Sequence, residues 1–412
     1  MRAPAKKSCA SQVVIRSLVR RRFGLFGAFL AAVTSSALLA FSLARMWGAG
    51  PAWWSFPLAA MAVSVGLAQV WLVIRPWVRS EAPTLRQLEV QGASARTVRL
   101  TVAAVTGGFG LFSTVLSLAL LLFAREWLES AAGLDSPANS TSPALFLACL
   151  YGSVLLLMTL VTALAGTLRQ TRRKERVPAR MVWGIATIIL ALEAITVGSQ
   201  RWFSLSAETF TLGVVLLVLG LAIALPAFYV LFARLFNDIF FHFRPGTATP
   251  ASSWPEDTKA GEAAAAMALA LALAVAVLVG PREADPTNGL QWQWAALFVG
   301  TYAVAVSLWA VWPLTRGASR GYEGLWGLGA RAITVVGMAL RQSLLIAFFQ
   351  ALAGLLVGVG MAAALRSYTG VEGMGSSGSL WPFALAAAGA SFVVCVFVWV
   401  LAAVAAPKRP RT

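Results

Sequence analysis

The chain has 412 residues, of which 59% are apolar and only 12% charged, and it carries a formal net charge of +17. A soluble domain usually has about twice that charged fraction, so composition argues against a soluble enzyme. The positive charge lies in short segments between apolar runs, not in one patch, which argues against a nucleic-acid partner. Cys9, Cys149 and Cys395 form neither a disulfide framework nor a metal-spaced cluster. Abundant alanine, and arginine far in excess of lysine, fit a GC-rich bacterial genome.

Apolar runs occupy about 24–44, 53–74, 100–123, 144–168, 181–198, 210–233, 263–280, 294–312, 342–365 and 381–405. Each can cross a hydrocarbon core of about 30 Å as a helix, and lipid, which offers the backbone no hydrogen-bond partner, requires helices there. The predicted fold is therefore all-α, a polytopic membrane protein of about ten transmembrane helices. In chain order it reads as a basic cytoplasmic tail (1–23), hairpin 1 (24–74), hairpin 2 (100–168) and hairpin 3 (181–233). A Pro/Ser/Thr-rich flexible linker (245–262) follows, then hairpin 4 (263–312). A candidate interfacial helix (322–341), hairpin 5 (342–405) and a basic tail (406–412) complete the chain. Arg20-Arg21-Arg22-Phe23 before the first run faintly suggests a twin-arginine signal. A run of about 20 residues with nine more behind it predicts an uncleaved first helix instead.

Basic residues orient the helices. With the N-terminus inside, 28 of the 33 lysines and arginines fall on the cytoplasmic side, and Arg45, Arg125, Arg201, Arg282 and Arg366 stand singly in the five outer segments. This predicts a bacterial plasma (inner) membrane protein with both termini cytoplasmic. The lipid bilayer is its first partner, with anionic lipids at the basic cytoplasmic face. Tryptophans fit two interfacial belts: Trp47, Trp53, Trp54 and Trp127 belong to the outer one, Trp71, Trp77, Trp183 and Trp312 to the inner.

Odd-numbered helices begin near 24, 100, 181, 263 and 342, at intervals of 76 to 82 residues, each after a basic lead. Five tandem hairpins of one type would give this period; evenly looped helices without ancestry would give it too. The arginine lead before Phe23-Gly24-Leu25-Phe26-Gly27, and Ala68-Gln69-Val70-Trp71 followed by Arg75-Pro76-Trp77, resemble a family of bacterial repeat-hairpin membrane proteins of unknown function. The resemblance covers most of the chain, with the later units departing from it and the fourth most clearly. It implies a membrane-embedded hairpin array and no activity.

Glu193 is the one acidic residue deep in an apolar run. A charge there costs roughly 2.5–3.5 kcal/mol, so it is expected to face the bundle interior, paired or protonated. It is a candidate proton or cation site, or else a neutral carboxyl bonded to a neighbouring helix, or a residue near the outer interface. Arg341, where the ninth helix enters, either pairs with Glu193 or snorkels to the inner surface. Asp238 and His242, four residues apart, share a helical face; an interfacial helix end explains them more simply than a metal or a proton shuttle. Pro57 and Pro226 predict kinks. Gly354 with Gly358, Gly107 with Gly108, and the alanine-rich run 263–276 predict close helix packing. Leu325, Trp326, Leu328, Ile333, Val336 and Leu340 line one side of a segment broken by Gly327 and Gly329. It is either an interfacial helix or a cytoplasmic extension of the ninth helix.

The sequence holds no phosphate loop, no nucleophile–His–acid set, no zinc spacing and no nucleotide fingerprint, so no cofactor is expected. Two functional readings follow. The first is a non-enzymatic scaffold or subunit of a membrane complex, with membrane-protein partners or a homo-oligomer. The second is a secondary transporter of a small solute, built from two five-helix inverted halves with Glu193 as its ion site. An intramembrane enzyme, a third class, would need convergent polar groups that the sequence does not offer.

Overall fold

The computed structural model describes residues 55–80, 177–200, 206–241, 258–279, 300–308, 322–369 and 381–404 as runs, with scattered positions at 90–115 and 310–315. Among the described residues all secondary structure is helical, with no strand. Six helices order the fold: α1 Ser55–Ser80, α2 Val177–Ser199, α3 Ser206–Phe241, α4 Thr258–Val279, α5 Ala332–Thr369 and α6 Trp381–Val404. Short helical segments at 300–308 and 322–327 pack beside them. Five helices contain stretches long and apolar enough to cross a membrane: Ala179–Ser199, Glu208–Phe236, Ala260–Val279, Ala332–Tyr368 and Pro382–Leu401. The first apolar run, the run at 144–168, both tails and residues 245–257 lie outside the described residues.

Pairwise contacts set the helix directions. Gly184 meets Ala224 and Gly198 meets Phe210, so α2 and α3 are antiparallel. Phe210 stacks on Tyr368 at 4.3 Å while Tyr229 meets Phe349 edge-on at 5.3 Å, so α3 also runs against α5. Gly354 faces Leu271 and Gly358 faces Val275, which makes α4 and α5 parallel. Ala384 and Ala387 cluster with Ala362, whereas Trp399 reaches the Tyr322–Gln342 pair, so α6 returns along α5. Helices α2, α4 and α5 share one direction; α3 and α6 take the other.

Helix α4 is the axis of the bundle. Every side chain from Ala263 to Ala276 is buried, and α1, α3, α5 and α6 all pack on it. Alanine makes this possible: a helix with methyl side chains admits neighbours on every side and loses no rotamer freedom on burial. The neighbours answer with glycine. A Cβ on Gly354 would stand 2.8 Å from the Leu271 side chain, one on Gly358 2.5 Å from Val275, and one on α4's own Gly261 2.8 Å from the Pro226 carbonyl. The α2–α3 pair uses the same device at seven-residue intervals, with Gly184, Ala191 and Gly198 facing the strip that carries Gly213 and Gly220.

Two boundaries differ from the sequence expectation. Helix α4 starts at Thr258, so the last five residues assigned to the linker 245–262 are helical. Apart from Gly261, Lys259, Ala260 and Glu262 are strong helix formers that prolong the alanine run. The segment 322–341 is two elements. Its first helix, 322–327, closes with the Gly329 amide donating to the Trp326 carbonyl and the Ala330 amide to the Leu325 carbonyl, at 3.0 Å each. Gly329 takes φ of 81°, the left-handed residue of a Schellman cap. From Ala332 onward the segment is the first part of α5. Leu325 and Trp326 pack on the core, whereas Leu328, Ile333 and Leu340 are exposed.

Glycine spacing generates a test. Gly358→Ala should destabilise the protein by about 1–3 kcal/mol, because its methyl overpacks the α4–α5 contact. Gly360→Ala, with nothing within 4 Å of the new methyl, should be neutral or stabilising by up to about 1 kcal/mol through helix propensity. Unfolding by SDS titration of the detergent-solubilised protein measures both.

Candidate functional site

Buried polar groups gather around α4 and near one end of the bundle. Gln69 of α1 is fully buried; its amide donates to the Ala266 carbonyl of α4 at 3.3 Å, and its Oε1 accepts the Tyr302 hydroxyl. Gln350 of α5 donates to the Ser307 hydroxyl at 2.7 Å, which itself donates to the Ala303 carbonyl at 2.8 Å. Nearer the Ala332 end of α5, Tyr322 donates to Gln342 Oε1 at 2.6 Å and accepts the Trp399 indole N–H at 2.8 Å. These bonds tie α1 to α4, α5 to the 300–308 segment, and α5 and α6 to the 322–327 segment. Each satisfies a polar group that burial has taken out of water and fixes the rotation of two elements about their axes.

One ion pair joins this framework. Arg180 Nη2 in α2 lies 3.3 Å from Glu262 Oε1 in α4, with the Glu262 side chain wholly buried and that of Arg180 15% exposed. Glu262 sits one turn inside the N-terminus of α4, where the helix dipole favours a carboxylate. The pair is a polar link between the α2–α3 hairpin and the central helix.

Sequence candidates fall differently. Glu193 is exposed on α2. It is nine residues beyond Gly184, and at about 100° per residue it points directly away from the α3 contact. The expected inward orientation is therefore not what the structure has: the inward strip of α2 is taken by Gly184, Ala191, Ile195 and Gly198, which the close approach of α3 requires. A Glu193–Arg341 pair is excluded by level. Gly198, Phe210 and Tyr368 mark one height in the bundle. Glu193 is roughly 8 Å below it and Arg341 roughly 40 Å, taking about 1.5 Å of rise per residue. Arg341 is half-buried in the first third of α5. Gly354 and Gly358 contact α4; a methyl group placed on Gly108 would meet nothing within 4 Å, and Gly107 lies outside the described residues. Asp238 belongs to α3 with its side chain outside the described set, as is all of His242. Among the described residues no group of His, Cys, Asp and Glu is placed to hold a metal ion.

The residues that sequence reasoning missed are Glu262, placed in the linker, and the uncharged set Gln69, Tyr302, Ser307 and Gln350. Their signal is amides and hydroxyls inside apolar runs, which carry no charge to draw notice but must find a partner in lipid. No family model, curated protein or solved structure matches the chain.

Two outcomes follow from these bonds. Glu262→Ala removes the Arg180–Glu262 ion pair and should cost about 1–3 kcal/mol in SDS titration, with Glu262→Gln recovering part of that loss through a neutral hydrogen bond. Burial pushes the Tyr322 phenol from 10.0 up to about 12, the Trp399 hydrogen bond opposing the shift. Because the folded value exceeds the unfolded one, this contribution is complete below pH 10 and lost as pH rises toward 12, at up to about 1.4 kcal/mol per pH unit. Stability of wild type measured against Tyr322→Phe should fall more steeply across that window.

Proposed function

We propose that the chain is a non-enzymatic scaffold or subunit of a bacterial inner-membrane complex, built from ten transmembrane helices as five hairpins with both termini in the cytoplasm. One observation carries the reading: the axis of the bundle is sealed. α4 is enclosed by its neighbours, and Gln69, Tyr302, Gln350 and Ser307 beside it bond to one another or to backbone. Groups used in this way hold helices in register; a transport site would aim them at a cargo. The shared direction of α2, α4 and α5, opposite to α3 and α6, supports the alternating map read from arginine placement. Its basic face meets anionic lipid headgroups, and no cofactor enters this reading.

The test is reconstitution. Vesicles containing the wild-type protein should take up protons and small solutes no faster than empty vesicles, and Glu193→Gln should change nothing. Uptake by wild type that Glu193→Gln abolishes would overturn the scaffold and establish a secondary transporter with Glu193 as its ion site. Orientation is tested with cysteines introduced at Asp135 and Asp257. An impermeant reagent added to intact cells should label position 135 and spare position 257.

A further inference from the structure

Helix α2 is the peripheral helix of the described bundle. Its buried strip faces chiefly α3, and its opposite side presents Val182 (66% exposed), Ile189 (52%) and Val197 (46%) together with Glu193. An apolar face of this kind is what lipid ordinarily covers. The carboxyl is not: Glu193 stands six residues, roughly 9 Å, inside the Ser199 end of an apolar span, on the side turned away from α3. Acidic side chains at such depth are held by a partner group, not by hydrocarbon.

Among the described residues no cation is placed at Glu193: Arg341 lies about 30 Å away in level by the helix rise, and Arg366, nearer in level, donates to the Val279 carbonyl. The apolar runs 24–44, 100–123 and 144–168 contain no lysine, arginine or histidine. A second copy packed through α2 would place Glu193 against Glu193 at one depth, opposing like charges. Charge complementarity is met instead by a basic group brought in from outside.

We infer that the Glu193 face of α2 is an intramembrane docking surface for a transmembrane helix of a different protein, one carrying an arginine or lysine at the depth of Glu193. The inference rests on the complex-subunit reading and names the kind of partner. Exposed Val182, Ile189 and Val197 would pack along that helix, while the carboxylate accepts hydrogen bonds from its basic head. In a water-free layer such a pair is strongly selective, because either charge alone is left in hydrocarbon.

The experiment uses the full chain, donor-labelled and reconstituted in phosphatidylcholine–phosphatidylglycerol vesicles. The probe is an acceptor-labelled transmembrane leucine–alanine peptide with one arginine at the Glu193 depth. Control peptides carry leucine at that place, or the arginine one and a half turns deeper. Energy transfer should report association of the matched arginine peptide with wild type about tenfold stronger than with Glu193→Gln. Glu193→Asp should retain most of it, and the leucine peptide should bind all three proteins equally weakly. Equal binding of the matched peptide to wild type and Glu193→Gln would overturn the inference, provided both show the same SDS-unfolding midpoint. So would stronger binding of the displaced arginine, or self-association of labelled chains that Glu193→Gln abolishes. A pH-sensitive dye inside the same vesicles reports proton uptake separately. Loss of the scaffold reading is thereby told apart from loss of this docking surface.

Discussion

The bundle depends on how closely helices can approach one another where no hydrophobic effect drives them together. Between lipid and protein interior there is little contrast in polarity, so association rests on dispersion contacts and on hydrogen bonds that cannot be made to water. Helix α4 meets the first condition with an alanine-rich surface on all sides. Its neighbours bring Gly354 and Gly358 to Leu271 and Val275, and Pro226 to Gly261, so that main chains come near enough for many weak contacts to accumulate. The α2–α3 hairpin solves the same problem separately, through glycine and alanine repeated at every second turn.

Close approach is also what brings the polar side chains into reach. Gln69 can donate to the Ala266 carbonyl because alanine leaves that part of α4 uncovered, and the same amide then accepts Tyr302. Gln350 with Ser307, and Tyr322 with Gln342 and Trp399, extend the pattern to α5, α6 and the short segments beside them. Small residues supply proximity without direction; amides and hydroxyls supply direction, since a bond of this kind survives only a narrow rotation of either helix. The combination gives a defined arrangement from elements whose apolar surfaces are nearly interchangeable.

The two membrane-level carboxylates show how position decides role. Glu262 and Glu193 are both glutamates of apolar helices, yet one is enclosed with Arg180 and the other faces outward. Glu262 can be buried because it lies one turn from the start of α4, beside a cation and near the positive end of the helix dipole. Glu193 is deeper along its helix and on the wrong side for any described neighbour. The first closes the chain upon itself; the second leaves a demand that this chain's own apolar runs, free of basic residues, do not meet.

Amino-acid order alone determined that these segments are helices in lipid, because apolar length and the absence of backbone partners leave no other solution. The starts of α2, α3 and α6 fall within a few residues of the expected places, and Gly354 and Gly358 were recognisable as packing residues. The centre of the bundle was not recognisable. A run such as Ala263–Ala276 looks alike from every side, so nothing in its pattern says whether lipid or four helices surround it. The orientation of Glu193 and the engagement of Glu262 were hidden for the same reason. Which way a membrane helix turns is set by steric fit and single hydrogen bonds to residues far along the chain, and these exist only once the helices have assembled.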